Sequence, residues 1–118
     1  MAAMRLAILT LTLFALSTPA RSDEKKISFE KDVMPIFKAN CISCHKADKK
    51  KGKLDMSSYS ELMKGGKQGS PVKAGDPSKS LIIEMISGKE PEMPEKGDKL
   101  TETQVQVISD WIKQGAKP

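Results

Sequence analysis

The fold class that this sequence predicts is all-α. Apolar residues recur at helical spacing in four segments, start or stop signals bracket those segments, and none shows the sustained alternation of a strand. The first segment runs from Phe29 to Asn40 and sets Phe29, Val33, Ile36 and Phe37 on one side. Pro35 lies inside it, where a proline either breaks a helix or starts a fresh turn. The second runs from Ser58 to Lys64; Ser58 and Glu61 have capping-box spacing, and Gly65-Gly66 supplies a stop.

In the third, Asp76 reads as the N-cap and Pro77 as the first helical residue, with Gly88 as terminator after "SLIIEMIS". The fourth carries the fullest set of signals. Thr101 caps it, Gln104 completes the box, and Leu100 with Val105 fits a hydrophobic staple. Val105, Ile108, Trp111 and Ile112 make its apolar stripe, and Gly115 ends it.

The chain opens "MAAMRLAILTLTLFALSTPARSDEKK". Arg5, the apolar run from Leu6 to Leu16, and the small residues ending at Ala20 or Ser22 read as a secretory signal peptide over residues 1–22. That run is shorter than the roughly 20 residues a membrane helix needs. The expectation is an exported domain over residues 23–118, periplasmic in a bacterium, with no membrane span once the signal is removed. A domain this small buries a modest core and often leans on a metal, disulfide or cofactor. Aromatic filling is thin: three Phe, one Trp and one Tyr in 118 residues.

The net charge of +5 falls to about +3 when Arg5 and Arg21 leave with the signal. Every remaining basic residue except His45 is then lysine. Nucleic-acid binders usually bring arginine and stacking aromatics, so no nucleic-acid partner is expected.

All of the cysteine and histidine lies in five consecutive positions, Cys41-Ile42-Ser43-Cys44-His45. A structural zinc needs four ligands and an iron–sulfur cluster four thiolates, so both fail on counting. A thioredoxin-like dithiol needs a βαβ setting, and a disulfide over so short a loop restricts the unfolded chain little. Covalent attachment of haem c is the remaining reading. Two thiols three positions apart on a turn can each bond one of two vinyl groups along a haem edge. The next residue, His45, then offers its imidazole to iron.

The sixth position can be open, bind water or hold a methionine. Met34 precedes the motif on the same helix, and Met56, Met63 and Met85 fit apolar positions where methionine is usually core filler. Met93 differs, because Pro91 and Pro94 stiffen its backbone 48 residues beyond His45. A weak thioether ligand gains from such preorganisation. His/Met ligation leaves no vacant site and points to electron transfer rather than catalysis, so no enzyme is expected. The alternative is a haem-based sensor or enzyme subunit with a displaceable sixth ligand.

With these residues in place the sequence resembles class I c-type cytochromes, most closely the planctomycete-type cytochrome c domain. The matching stretches are "ISFEKDVMPIFKANCISCH", "KGKLDMSSYSELMKGG", "GDPSKSLI", "PEMP" and "KLTETQVQVISDWIKQGAKP". The resemblance implies a small cytochrome c-like fold, about four helices wrapped around one haem, with first and last helices crossing. It implies covalent attachment at Cys41 and Cys44, axial ligation by His45 and Met93, and Trp111 at the helix crossing or the haem edge. One departure is Lys46-Ala47-Asp48, where relatives often have glycine.

Redox partner proteins are the expected partners. Lys46 to Lys53 is either a docking face for an acidic one or a solvated loop. Tyr59 is either a partner for a haem propionate or a half-buried helix residue. Gly65, Gly66 and Gly69 serve either close backbone approach to haem or, more economically, turns.

Overall fold

The computed structural model describes residues 24–118. The signal-peptide reading, with cleavage after Ala20 or Ser22, lies outside the described residues. Four short α-helices dominate: α1 (Met34–Asn40), α2 (Tyr59–Lys64), α3 (Leu81–Ile86) and α4 (Glu102–Lys113).

A π-helical turn at Phe29–Val33 runs directly into α1, so the helical run covers the expected residues 29–40. Pro35 sits in the first turn of α1, where its missing N–H costs nothing. Ser28 caps the run, accepting from the Lys31 amide, and its own amide donates to Asp32 at 2.8 Å. Helix α2 keeps half of its expected box. Ser58 accepts from the Glu61 amide at 3.2 Å, while the Glu61 carboxylate pairs with Lys64 instead. Helix α4 has the full box, with Thr101 and Gln104 exchanging bonds of 2.9 and 3.2 Å.

Two expectations need correction. The third helix is not continuous from Pro77. A 3-10 turn at Pro77–Lys79 is separated from α3 by Ser80, whose backbone is extended. The buried Ser80 hydroxyl donates to the Asp76 carbonyl and accepts from the Lys73 amide, both at 2.9 Å, which holds the chain out of helix there. Asp76 stands at the N-cap of that 3-10 turn, with Pro77 first in it, but its side chain makes no capping bond; its carboxylate accepts from the Ser78 hydroxyl.

The second correction concerns sheet. A two-stranded antiparallel hairpin, β1 (His45–Lys46) and β2 (Lys49–Lys50), pairs His45 with Lys50 and Lys46 with Lys49. Strands of two residues carry no alternation to detect. Ala47-Asp48, part of the departure from the family pattern, forms the turn, a position that suits aspartate.

The core sits where the Phe29–Val33 turn meets α4. Phe29, Val33, Phe37, Leu62, Ile108, Trp111 and Ile112 are its largest fully buried side chains. Phe29 lies 5.3 Å from Trp111, 5.4 Å from Tyr59 and 6.1 Å from Phe37, ring centroid to centroid. These are all the aromatic residues of the described chain. The Gln114 amide clamps the segment before the first helical turn, accepting from the Ile27 amide and donating to the Lys25 carbonyl. Trp111 and Tyr59 donate to the Lys117 and Ala116 carbonyls, both at 2.8 Å, and so fasten the C-terminal turn.

Candidate functional site

The aromatics gather at the helix crossing, and none of them lines a cleft of ≈ 570 Å³ that the domain also holds. That falls inside the roughly 300–1,000 Å³ of small-molecule and cofactor sites. Cys41, Cys44, His45 and Met93 all line it. Its walls are Leu54, Met56, Leu81, Ile82, Met85 and Ile86, and Lys49, Lys51, Lys67 and Lys96 also border it. A smaller depression of ≈ 300 Å³ beside Trp111 and Gln114 has no cysteine, histidine or methionine among its lining residues.

The motif is shaped by the end of α1. Cys41 is the C-cap, its amide donating to Phe37 at 2.8 Å. The chain then tightens into a turn in which the Cys44 and His45 amides both donate to the Cys41 carbonyl, at 3.2 and 3.0 Å. Both thiols are free. Burial pushes the Cys41 thiol up to about 11, so it stays protonated at neutral pH. The sulfurs and the imidazole do not converge on a point: among the described residues no group of three or more Cys, His, Asp or Glu is arranged to hold a metal ion.

His45 is held from both sides by one segment. The Met56 amide donates to its carbonyl at 2.8 Å, and its Nδ1 lies 3.2 Å from the Leu54 carbonyl. A carbonyl can only accept, so Nδ1 carries the proton and Nε2 keeps its lone pair for a metal. Sequence reading missed this support, because nothing local in "KLDMS" marks a carbonyl that will face a ring nine residues earlier.

Also on the cleft lining, the Met93 amide donates to the Met85 carbonyl at 2.8 Å, and the adjacent Pro94 is buried. Met34 is buried in the core and does not line the cleft. Met56 and Met85, expected as core filler, also line it. Met63 packs against the core without reaching it.

Trp111 belongs to the helix crossing, not to the cleft. Tyr59 is the half-buried helix residue: its hydroxyl is spent on Ala116 and is not available to a propionate. The glycines make turns and one close loop contact. A Cβ on Gly66 would meet the Gly52 carbonyl at 2.5 Å, and the Lys67 amide donates to that same carbonyl. Gly66 thereby docks the loop after α2 onto the turn after β2.

The chain matches the family model described as Planctomycete cytochrome C over residues 41–97. Over this stretch the chain is similar to planctomycete-type cytochrome c domains. The match starts at the first cysteine of the motif and ends within the Met93 loop, so it takes in every cleft-lining residue except Asn40. No curated protein and no solved structure matches the chain.

A cytochrome c domain binds c-type haem, and the residues present fit that group. The cleft is large and mostly apolar, two free thiols stand at its edge, and an imidazole with a committed tautomer and a thioether share it. No described helix is long and apolar enough to cross a membrane.

Proposed function

We propose that this chain is an exported, periplasmic monohaem cytochrome that carries single electrons between redox proteins. Cys41 and Cys44 would hold the haem by thioether bonds, with His45 and Met93 as axial iron ligands. The observation that carries this reading is that all four side chains line one cleft, with His45 Nδ1 tied to the Leu54 carbonyl.

Haem bound in this cleft supplies a one-electron couple at iron. The protein's part is to keep the coordination constant. The Leu54 carbonyl fixes the imidazole proton on Nδ1, so that Nε2 would be the nitrogen left to bind the iron. The Met93 amide, bonded to Met85, limits where the thioether can move. Leu54, Leu81, Ile82 and Ile86 keep water from the interior of the cleft, which lowers reorganisation on electron transfer. If His45 and Met93 both ligate the iron, no position would remain for a substrate to bind it, which suits a carrier rather than an enzyme.

Lys49, Lys51, Lys67 and Lys96 border the cleft, and Lys46, Lys50 and Lys53 lie in the adjoining hairpin and turn. This surface suits an acidic docking face on a redox partner and would raise its rate of encounter. A propionate would draw on these lysines, since Tyr59 and Trp111 donate elsewhere.

The test is the oxidised absorption spectrum of protein matured in a host competent for haem c attachment. The weak near-infrared band of Met–iron ligation should be present and should vanish in Met93→Ala. An unchanged band in that variant refutes the assignment of Met93. Mass spectrometry of the same material should show one added haem, and a mass without it refutes the attachment.

A further inference from the structure

The loop that carries Met93 has little regular structure to hold it. From residue 89 to 100 it makes a single backbone–backbone hydrogen bond, the Met93 amide to Met85. Two lysine side chains supply further ties. Lys99 Nζ donates to the Pro94 carbonyl from further along the same loop. Lys51 Nζ reaches Glu95 Oε2 at 3.3 Å from a different segment, 44 residues away.

This ion pair differs from the others. Among the described residues, the remaining pairs join Lys25 to Asp32, Lys46 to Asp48, Lys64 to Glu61 and Lys79 to Asp76, all near neighbours in sequence. Lys51 is also rigidly connected to the motif. Its amide donates to the Cys44 carbonyl at 3.0 Å, and its carbonyl accepts from Leu54, whose own carbonyl faces His45 Nδ1. Glu95 stands two residues past Met93. Both Lys51 and Glu95 line the cleft.

We propose that Lys51 and Glu95 are a positioning pair: they strap the Met93 loop to the wall that carries His45 and thereby keep the thioether in place as sixth ligand. The role in ligation rests on the function proposed above. The pair is about half exposed, so salt screens it and its effect is modest. A weak thioether bond is where a modest strap matters, because each small loss of preorganisation goes directly into displacement by another ligand.

The experiment titrates the ferric holoprotein with imidazole and measures hydrogen exchange of the peptide spanning residues 89–99. The variants are Glu95→Gln, Lys51→Gln, the charge swap Lys51→Glu/Glu95→Lys, Met93→Ala, and Glu92→Gln as a control with the same charge change as Glu95→Gln on the same loop. Glu95→Gln and Lys51→Gln should bind imidazole about two- to five-fold more tightly than wild type. Glu92→Gln should match wild type, the swap should restore it, and added salt should bring wild type towards the single variants. Exchange over residues 89–99 should follow the same order.

Single variants that behave like Glu92→Gln, or a swap that restores nothing, overturn the strap. Met93→Ala reports on the underlying reading. If it binds imidazole no more tightly than wild type, methionine is not the ligand. Hydrogen exchange then still decides whether the pair holds the loop.

Discussion

The helix crossing and the haem cleft are built from opposite materials. The crossing joins the Phe29–Val33 turn to α4 and takes all four described aromatic residues, packed at 5.3–6.4 Å with their polar atoms bonded to the C-terminal backbone. The cleft takes no aromatic residue; aliphatic and sulfur side chains line it, on short helices and loops. The family match covers residues 41–97 and leaves most of the crossing outside. A small chain with few large side chains has spent them on one seam, which holds the ends together and leaves the remaining volume to a cofactor. Stability should therefore be most sensitive at the crossing, and spectrum and potential most sensitive at the cleft.

The largest expected effect is at Trp111, 1 % exposed. Trp111→Ala should cost roughly 3–5 kcal/mol, from lost burial, the cavity left behind and the bond to Lys117. Against the 5–15 kcal/mol total of a typical domain this is severe. Denaturant unfolding measures it. The fraction that still folds should keep the wild-type near-infrared band and nearly the wild-type midpoint potential. A large change in potential at equal ligation would mean that the two regions are not separable in this way.

Tyr59→Phe is a smaller test of the same separation. It removes one hydrogen bond to Ala116 and should cost about 1 kcal/mol. Because that hydroxyl faces the C-terminal turn, the potential and its pH dependence should stay as in wild type. A shift in the pH dependence of the potential would place Tyr59 back beside a propionate.

What could be read from the sequence follows the same division. Helices and caps are local, and the Phe29–Asn40 run, the Ser58 cap and the Thr101–Gln104 box were all legible. The sequence also singles out Cys41, Cys44 and His45 as a motif and Met93 between prolines, and the structure sets all four on the lining of one cleft. What was hidden depends on contacts distant in sequence. Ser80 interrupts the third helix through bonds to Lys73 and Asp76, and Leu54 supplies its carbonyl to His45. The two-residue strands of the hairpin are too short for any pattern, and the Lys51–Glu95 pair spans 44 positions.

The last expected effect, similar in stability cost to Tyr59→Phe at neutral pH and smaller in acid, sharpens the comparison from the cleft side. Asp55, only 5 % exposed, lies between Leu54 and Met56, the two residues that hold His45. Its carboxylate accepts from the Ser57 hydroxyl at 2.5 Å and the Ser57 amide at 2.9 Å. These bonds favour the charged form, so the Asp55 carboxyl lies below its ordinary value in the folded protein. A depressed folded value means that the unfolded chain binds the proton more tightly. The contribution to stability is then fully present above the ordinary value of 3.8 and is lost as pH falls through the lower folded value. Ser57→Ala removes the hydroxyl and should cost about 1 kcal/mol at pH 7 and less in acid, so its unfolding curve should approach that of wild type as pH falls through the lowered value of Asp55. Because the turn also sets the segment behind the imidazole, the variant should shift the midpoint potential at neutral pH, which the costlier Trp111→Ala should not. A Ser57→Ala protein with wild-type potential would show that the Leu54 carbonyl is positioned without help from this turn.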